Sequence, residues 1–357
     1  MEYDLNKPVI FHLSKNNERK EFVNFRKNNP NIIYIDTLGE QEHELDLINN
    51  PLLISHSSLS ADNKSPVKDD YGVWVFYPWK NTAVRILEVD KYSTLRLSRN
   101  HNLITSDEEN ILKKAKIGIA GLNVGNPGAV CLVLEGIGES IKLADFDSLS
   151  VSNLNRFRAG LPDIGINKAI LSARQMLEIN PFLNLEIYED GITPANMDTF
   201  LNSPKIDILV EETDNLKLKI QIRRLAKKLQ IPVLMVTGNG EDIIVDVERY
   251  DLNKNLKILS GYLPDDIINK IEAIQKGQGT YEERIMLARD FMGKEYLDSR
   301  LVKSFKEVGR TLAGIPQLAE SSFLRGAAMC YFTKHILLNH KILSGRYKVS
   351  IKGVKIN

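Results

Sequence analysis

From about residue 93 the chain alternates short apolar runs with longer amphipathic stretches. K-I-G-I-A, residues 116–120, and the run at 140–144 read as buried strands, and apolar runs at 185–188, 207–211 and 232–236 continue the series. Helical spacing fills the gaps between them. One helix runs from a glycine-bearing turn through about Leu134. A second spans roughly 166–179, with Ala169, Ile170, Ala173, Met176 and Leu177 on one face. A third, basic helix lies near 216–229. Thr105-Ser106-Asp107-Glu108-Glu109 is a capping box that starts a short helix ahead of the first of these strands. Near-continuous apolar strands alternating with helices predict an α/β fold: a Rossmann-like, doubly wound, mainly parallel sheet covered on both faces.

The flanking regions have a different rhythm. Apolar stretches at 73–77 and 84–87 surround the turn Pro78-Trp79-Lys80-Asn81 and predict a hairpin; a polar loop, 56–66, precedes it. Beyond Tyr250 the pattern is mostly helical, broken at Pro264, Gly277 and Gly279. It ends in an amphipathic helix over about 321–338 and a short strand at 347–351. The expected organisation is an N-terminal α+β appendage (1–92), a nucleotide-binding domain (93–260) and a mostly helical C-terminal extension (261–357).

Composition adds exclusions. The 357 residues are 43% hydrophobic and 26% charged with a net charge of +1, so a packed core is expected and charge gives no reason to expect nucleic acid. The basic helix, with Lys217, Lys219, Arg223, Arg224, Lys227 and Lys228, reads as a solvated face. The two cysteines, Cys131 and Cys330, both lie among apolar neighbours. This argues against a disulfide framework and for a reducing compartment. No apolar run reaches the ~20 residues of a membrane span, and no basic-then-apolar start marks a signal peptide. A cytoplasmic protein is expected, without a membrane partner.

Candidate chemistry concentrates in two places. In I-A-G-L-N-V-G-N-P-G, residues 119–128, a strand enters a turn and then a helix. Gly121 lets the backbone leave the strand tightly, Gly125 leaves room for a phosphate, and the helix N-terminus points unpaired N–H groups at it. One strand later, D-F-D-S-L-S-V-S-N-L-N-R places Asp145, Asp147, Asn153 and Arg156 within twelve residues. A strand end that carries acids for ribose hydroxyls and donors for phosphate oxygens suits a nucleotide.

This run resembles the signature of the ThiF/MoeB-type adenylating enzymes, the superfamily of the ubiquitin-activating enzymes, written D-x-D-x-V-x-x-S-N-L-x-R-Q. A lysine follows it in the family and T-D-N closes a later strand. Here G-I-N-K ends at Lys168, and E-E-T-D-N ends at Asn215. R-L-S-R-N, 96–100, and R-Q-M-L-E-I-N-P, 174–181, are similar to further family segments, so the resemblance covers about 93–250. It implies ATP and Mg²⁺ as cofactors. Asp145 would hold the ribose, with Asp147 beside it. Asn153, Arg156 and Lys168 would hold the triphosphate, and Asp214 the Mg²⁺. Arg99 would reach into the other subunit of a homodimer. The implied reaction is attack of a carboxylate on the α-phosphate, giving an acyl-adenylate and pyrophosphate. The carboxylate would belong to a small acid, a peptide or a carrier-protein C-terminus.

The chain also departs from the family. The turn reads G-L-N-V-G-N instead of G-x-G-G-x-G, which leaves a non-catalytic partner subunit as the alternative. The paired C-x-x-C motifs of a structural zinc site are absent. Cys330, the one cysteine downstream of T-D-N, sits among apolar residues and reads as a buried small side chain, so adenylation without an enzyme-bound thioester is expected. Y-P-W-K-N-T, 77–82, is similar to long bacterial ThiF-type proteins that carry a flavin nitroreductase domain, which implies a separate nitroreductase as a partner. A nicotinamide oxidoreductase, suggested by fold alone, leaves S-N-L-N-R and T-D-N without a role.

Overall fold

The computed structural model describes residues 4–52, 69–273 and 280–352, without the side chain of Tyr281. The polar loop 56–66 and the breakers Gly277 and Gly279 fall outside these residues. The chain divides into two compact units. One comprises the chain up to Ser106 together with Arg174–Phe182; the other comprises Asp107–Ala173 and Leu183 onward.

In the first unit, strands β1 (Val9–His12), β2 (Ile33–Asp36), β3 (Val73–Tyr77) and β4 (Thr82–Ile86) form a sheet in the order β1-β3-β4-β2. The expected hairpin is β3–β4, in register Val73 to Ile86, turned by the left-handed Asn81. Pairing of β2 parallel to β4 was not legible in the sequence. Helix Asn16–Asn28 buries Phe22 and Phe25 against Phe11, Trp74 and Phe76, with the Phe22 and Trp74 rings stacked at 4.9 Å. Arg174–Phe182 joins this unit through polar anchors. The Tyr92 hydroxyl donates to the Ile179 carbonyl (2.8 Å), and the Trp79 indole N–H donates to Glu178 (2.6 Å).

The second unit holds the sheet the strand–helix alternation predicts. Its strands are β5 (Lys116–Ala120), β6 (Ser140–Ala144), β7 (Asn184–Tyr188), β8 (Ile208–Glu211), β9 (Val233–Asn239), β10 (Asp242–Glu248) and β11 (Gly345–Val349). Their order is β11-β10-β9-β8-β5-β6-β7. The strands from β7 to β9 are parallel, and β9–β10–β11 are antiparallel. The sheet is therefore mainly parallel with an antiparallel edge. Strand β10 was not anticipated. Its polar residues are buried because each finds a distant charge: Asp246 pairs with Arg346 (2.7 Å), Asp242 with Lys348 (3.0 Å) and Glu248 with Arg223 (2.8 Å).

Helix Ala319–Leu337 belongs to this core. It packs on β9, on β10 and on the helix Leu122–Glu135 that follows the glycine turn. The contact with that second helix is very close: a Cβ on Gly128 would overlap the Met329 sulfur at 1.8 Å, and one on Gly326 would lie 2.8 Å from Pro127 Cβ. Pro127, inside the helix, thus faces a glycine that makes room for its ring. Among the described residues no helix is long and apolar enough to cross a membrane.

Candidate functional site

Chain order reverses between β5 and β8, and a crevice opens at such a point outside the carboxyl ends of parallel strands. Gly121, just after β5, occupies that place with φ +89°, and a Cβ there would stand 2.5 Å from the Glu212 carbonyl. No other residue fits where the two strand exits pass this closely. At Gly125 a Cβ would meet Ile119 Cγ2 at 2.8 Å, so its smallness also seats the helix on its own strand.

The two aspartates after β6 separate in role. Asp145 is 7% exposed. Its Oδ2 accepts the Leu122 N–H and its Oδ1 the Asp147 N–H (2.8 Å), which pins the second strand exit to the start of the glycine-turn helix. Burial is the largest influence and pushes its carboxyl above the usual range, opposed by those two N–H groups. The expected ribose carboxylate is thus occupied with backbone. Asp147 is the presented one: its side chain is 47% exposed and its Oδ2 lies 2.9 Å from Lys168 Nζ.

Lys168 is buried despite its place in a helix first turn. The preceding Asn167 caps that helix, accepting the Ala169 N–H (2.8 Å), while its amide donates to the Asp145 carbonyl (3.0 Å). The G-I-N-K segment is thereby tied to the strand exit, and the ammonium is delivered beside Asp147. Asn153 is also buried, and its Oδ1 accepts the Ser150 N–H (3.1 Å), closing the turn that carries Arg156. Arg156 donates to the Ser152 carbonyl (3.1 Å) and to Asn155 (2.8 Å), while its buried Nε has no hydrogen-bond partner among the described residues. Burial lowers its pKa, and the charge of Asp214 opposes that.

After β8 the chain enters E-E-T-D-N. Asn215 caps the helix Leu216–Lys228 by accepting the Leu218 N–H (3.0 Å), which leaves Asp214 exposed and free of capping duty. Behind it lies an ionic core. Glu211 bonds Lys219 (3.1 Å) and Arg223; Arg223 in turn bonds Glu248 (2.8 Å). Burial works against the Glu211 charge, but Lys219 and Arg223 outweigh it and hold the carboxyl down at about 2. The basic helix is therefore not wholly a solvated face: Lys219 and Arg223 point inward.

Two residues of this region were missed by sequence reasoning. Glu212 is buried, accepts the Val236 N–H, and is pushed up to about 8 chiefly by burial. Arg325, 2% exposed on helix Ala319–Leu337, feels the charges of Glu212, Asp214, Arg156 and Arg158. Its guanidinium donates to Gln317 Oε1 (3.3 Å). Asn155 donates to the Gln317 carbonyl (3.0 Å) and Ser322 to the Arg156 carbonyl (3.0 Å), so the N-L-N-R turn and the distant helix are stitched together. The one sequence signal was an arginine inside the apolar run F-L-R-G-A-A-M-C. Arg99, by contrast, is an exposed residue of the first unit.

Chemically, the second unit gathers guanidinium and ammonium groups with two accessible carboxylates, Asp147 and Asp214, around the strand exits. Such a set suits a polyphosphate with its metal. No cluster of three or more metal-binding side chains occurs among the described residues. A single carboxylate such as Asp214 nevertheless fits Mg²⁺ of the kind held mainly by phosphate oxygens and water.

Residues 97–242 match the ThiF family. An uncharacterised protein of Mycobacterium tuberculosis is 32% identical over 327 residues, 92% of this chain but 43% of its own length. The chain therefore spans less than half of that relative. Molybdopterin-synthase adenylyltransferase of Haemophilus influenzae is 26% identical, covering 53% of this chain and 78% of its own. Among solved structures, E. coli MccB with ATP superposes with a TM-score of 0.50 at 18% identity, over 74% of this chain and 71% of that one. Residues 97–242 of this chain are therefore a ThiF domain.

Proposed function

We propose that the chain is an ATP- and Mg²⁺-dependent adenylyltransferase that activates a carboxylate as its acyl-adenylate. The observation that carries this reading is the pairing of the buried Lys168 with the half-exposed Asp147 (2.9 Å) after β6, inside the segment that matches the ThiF family. The substrate carboxylate oxygen attacks the α-phosphorus, the bond to the β-phosphate oxygen breaks, and pyrophosphate leaves. Attack of an anion on a polyanion needs fixed positive charge. Lys168 and Arg156, assisted by Asn153, would hold the phosphates, and Asp147, the more exposed of the two aspartates, would accept the ribose hydroxyls. Mg²⁺ on Asp214 would neutralise phosphate charge. Arg99 would complete the site across a homodimer. The carboxylate would belong to a small acid, a peptide or a carrier-protein C-terminus, in a cytoplasmic setting with a separate flavin nitroreductase as a partner.

The test is calorimetry of Mg–ATP on wild type, Lys168→Ala and Asp214→Ala, followed by carboxylate-dependent ATP–pyrophosphate exchange. Binding weakened at least tenfold in both variants, with exchange stimulated by one acid class, is expected. A folded wild type that binds no ATP overturns the proposal. It would favour the second reading, a partner subunit without catalysis, to which Ile119 filling the space at Gly125 and the unpartnered Asn123 Oδ1 lend support.

A further inference from the structure

Helices Leu122–Glu135 and Ala319–Leu337 lie in register along one shared stripe. At one end Gly326 faces Pro127, where a Cβ would come within 2.8 Å of the proline Cβ. At the other, Lys334 Nζ reaches Glu135 Oε2 at 2.8 Å. Positions 127 and 135 are two four-residue steps apart, as are 326 and 334, and four-residue steps keep to one helix face. The middle rung is Cys131 opposite Cys330. Neither cysteine is disulfide-bonded, and each thiol is the largest influence on the ionisation of the other. Nothing in the adenylation chemistry uses them.

We propose that Cys131 and Cys330 form a reversible intramolecular disulfide when the folded chain meets a peroxide. Gly128 and Gly326 bring the helix backbones close enough at this crossing for two Cβ atoms to approach disulfide distance without unfolding either helix. The reagent has one entrance. Cys131 is half-buried and Cys330 is 1% exposed, so Cys131 reacts first. The neighbouring Cys330 thiol, helped by the charges of Arg158 and Lys334, favours the Cys131 thiolate against its burial. That thiolate attacks one peroxide oxygen, the O–O bond breaks, and the departing hydroxide takes up a proton as water. The Cys330 sulfur then attacks the resulting sulfenic acid. The S–S bond forms, the S–O bond breaks, and a second water leaves with the Cys330 proton. Two thiols lose two electrons to one peroxide. The product fastens the helix that begins at Gly121 to the helix that carries Arg325.

The experiment uses the full chain. It is treated with a modest excess of hydrogen peroxide, unfolded, alkylated with iodoacetamide and weighed without reductant. The expected result is a monomer lighter by two hydrogens, alkylated at neither cysteine and restored by dithiothreitol. Its thermal midpoint should rise by about 5 °C and fall back on reduction. In Cys330→Ser, dimedone should trap a sulfenic acid on Cys131; in Cys131→Ser, Cys330 should stay an alkylatable thiol. Full alkylation of both cysteines in peroxide-treated wild type, or disulfides formed only between chains, would overturn the proposal even if either variant failed to fold.

Discussion

Exchanging the two aspartates of D-F-D for asparagine, one at a time, should separate folding from nucleotide binding. Asp145→Asn keeps one acceptor oxygen and turns the other into an amide that faces a backbone N–H. The Leu122 or Asp147 N–H therefore loses a charge-assisted bond and stays buried. Such a loss costs about 2–3 kcal/mol, reduced by the relief of a carboxylate that burial already disfavours. A net loss of about 2 kcal/mol would lower the thermal midpoint by roughly 4 °C. Asp147→Asn keeps an oxygen for Lys168 on a half-exposed side chain, so stability should move by less than about 1 kcal/mol. Its effect should appear in ATP affinity. Losing a charged acceptor for ribose hydroxyls costs about 2 kcal/mol, near 30-fold in Kd. Urea unfolding measures the first quantity and calorimetry the second, and ATP lacking its 3′-hydroxyl closes a cycle. Wild type should bind the deoxy nucleotide weakly, while Asp147→Asn should no longer discriminate. If instead Asp147→Asn binds ATP as wild type does, and a folded Asp145→Asn loses the discrimination, the division of labour argued from burial and hydrogen bonding is wrong.

Arg223→Met should destabilise the chain by about 3–5 kcal/mol, because it leaves Glu211 and Glu248 facing each other in the core; adding Glu248→Gln should recover part of this. A urea midpoint unmoved by Arg223→Met would show that the ionic core contributes nothing. Glu212 gives a pH dependence. Its carboxyl lies at about 8 in the folded chain against an ordinary 4.5, so between those values the native state holds a proton that the unfolded state releases. Stability should therefore fall as pH rises through this window, and Glu212→Gln should flatten the decline. Equal slopes for the two proteins between pH 5 and 8 would refute this reading.

The inner parallel strands β5, β6, β8 and β9 were legible because each is apolar enough to be buried on both sides, a pattern that needs no partner to be recognised. The candidate site was legible where it is local: Asp145 to Arg156 follow one strand exit, and Lys168 opens the next helix. What escaped notice depends on residues far apart. Asp246 makes D-I-I-V-D-V-E look half-exposed until Arg346 arrives from 100 residues away. Arg325 reads as an ordinary helix cation until the fold sets it beside Glu212 and Asp214. Asp145 and Asp147 are chemically identical in the sequence; the Leu122 and Asp147 N–H groups on the first and Lys168 on the second tell them apart. The cysteines seemed two separate buried residues because their meeting depends on the register of two helices.

The antiparallel edge β9–β10–β11 sets a boundary that ancestry does not. The family match stops at residue 242, the first residue of β10, whereas the sheet continues to Val349. A chain ending near 260 would retain β10, whose seven residues are all buried, but would strip away its outer strand and the helix that packs on β9, β10 and the helix after the glycine turn. It would present an unpaired strand edge and a bare apolar face side by side, the combination that recruits other chains into aggregates. The inherited motif and the smallest piece able to stay soluble are thus different objects, and the second includes residues that no nucleotide-binding signature would select.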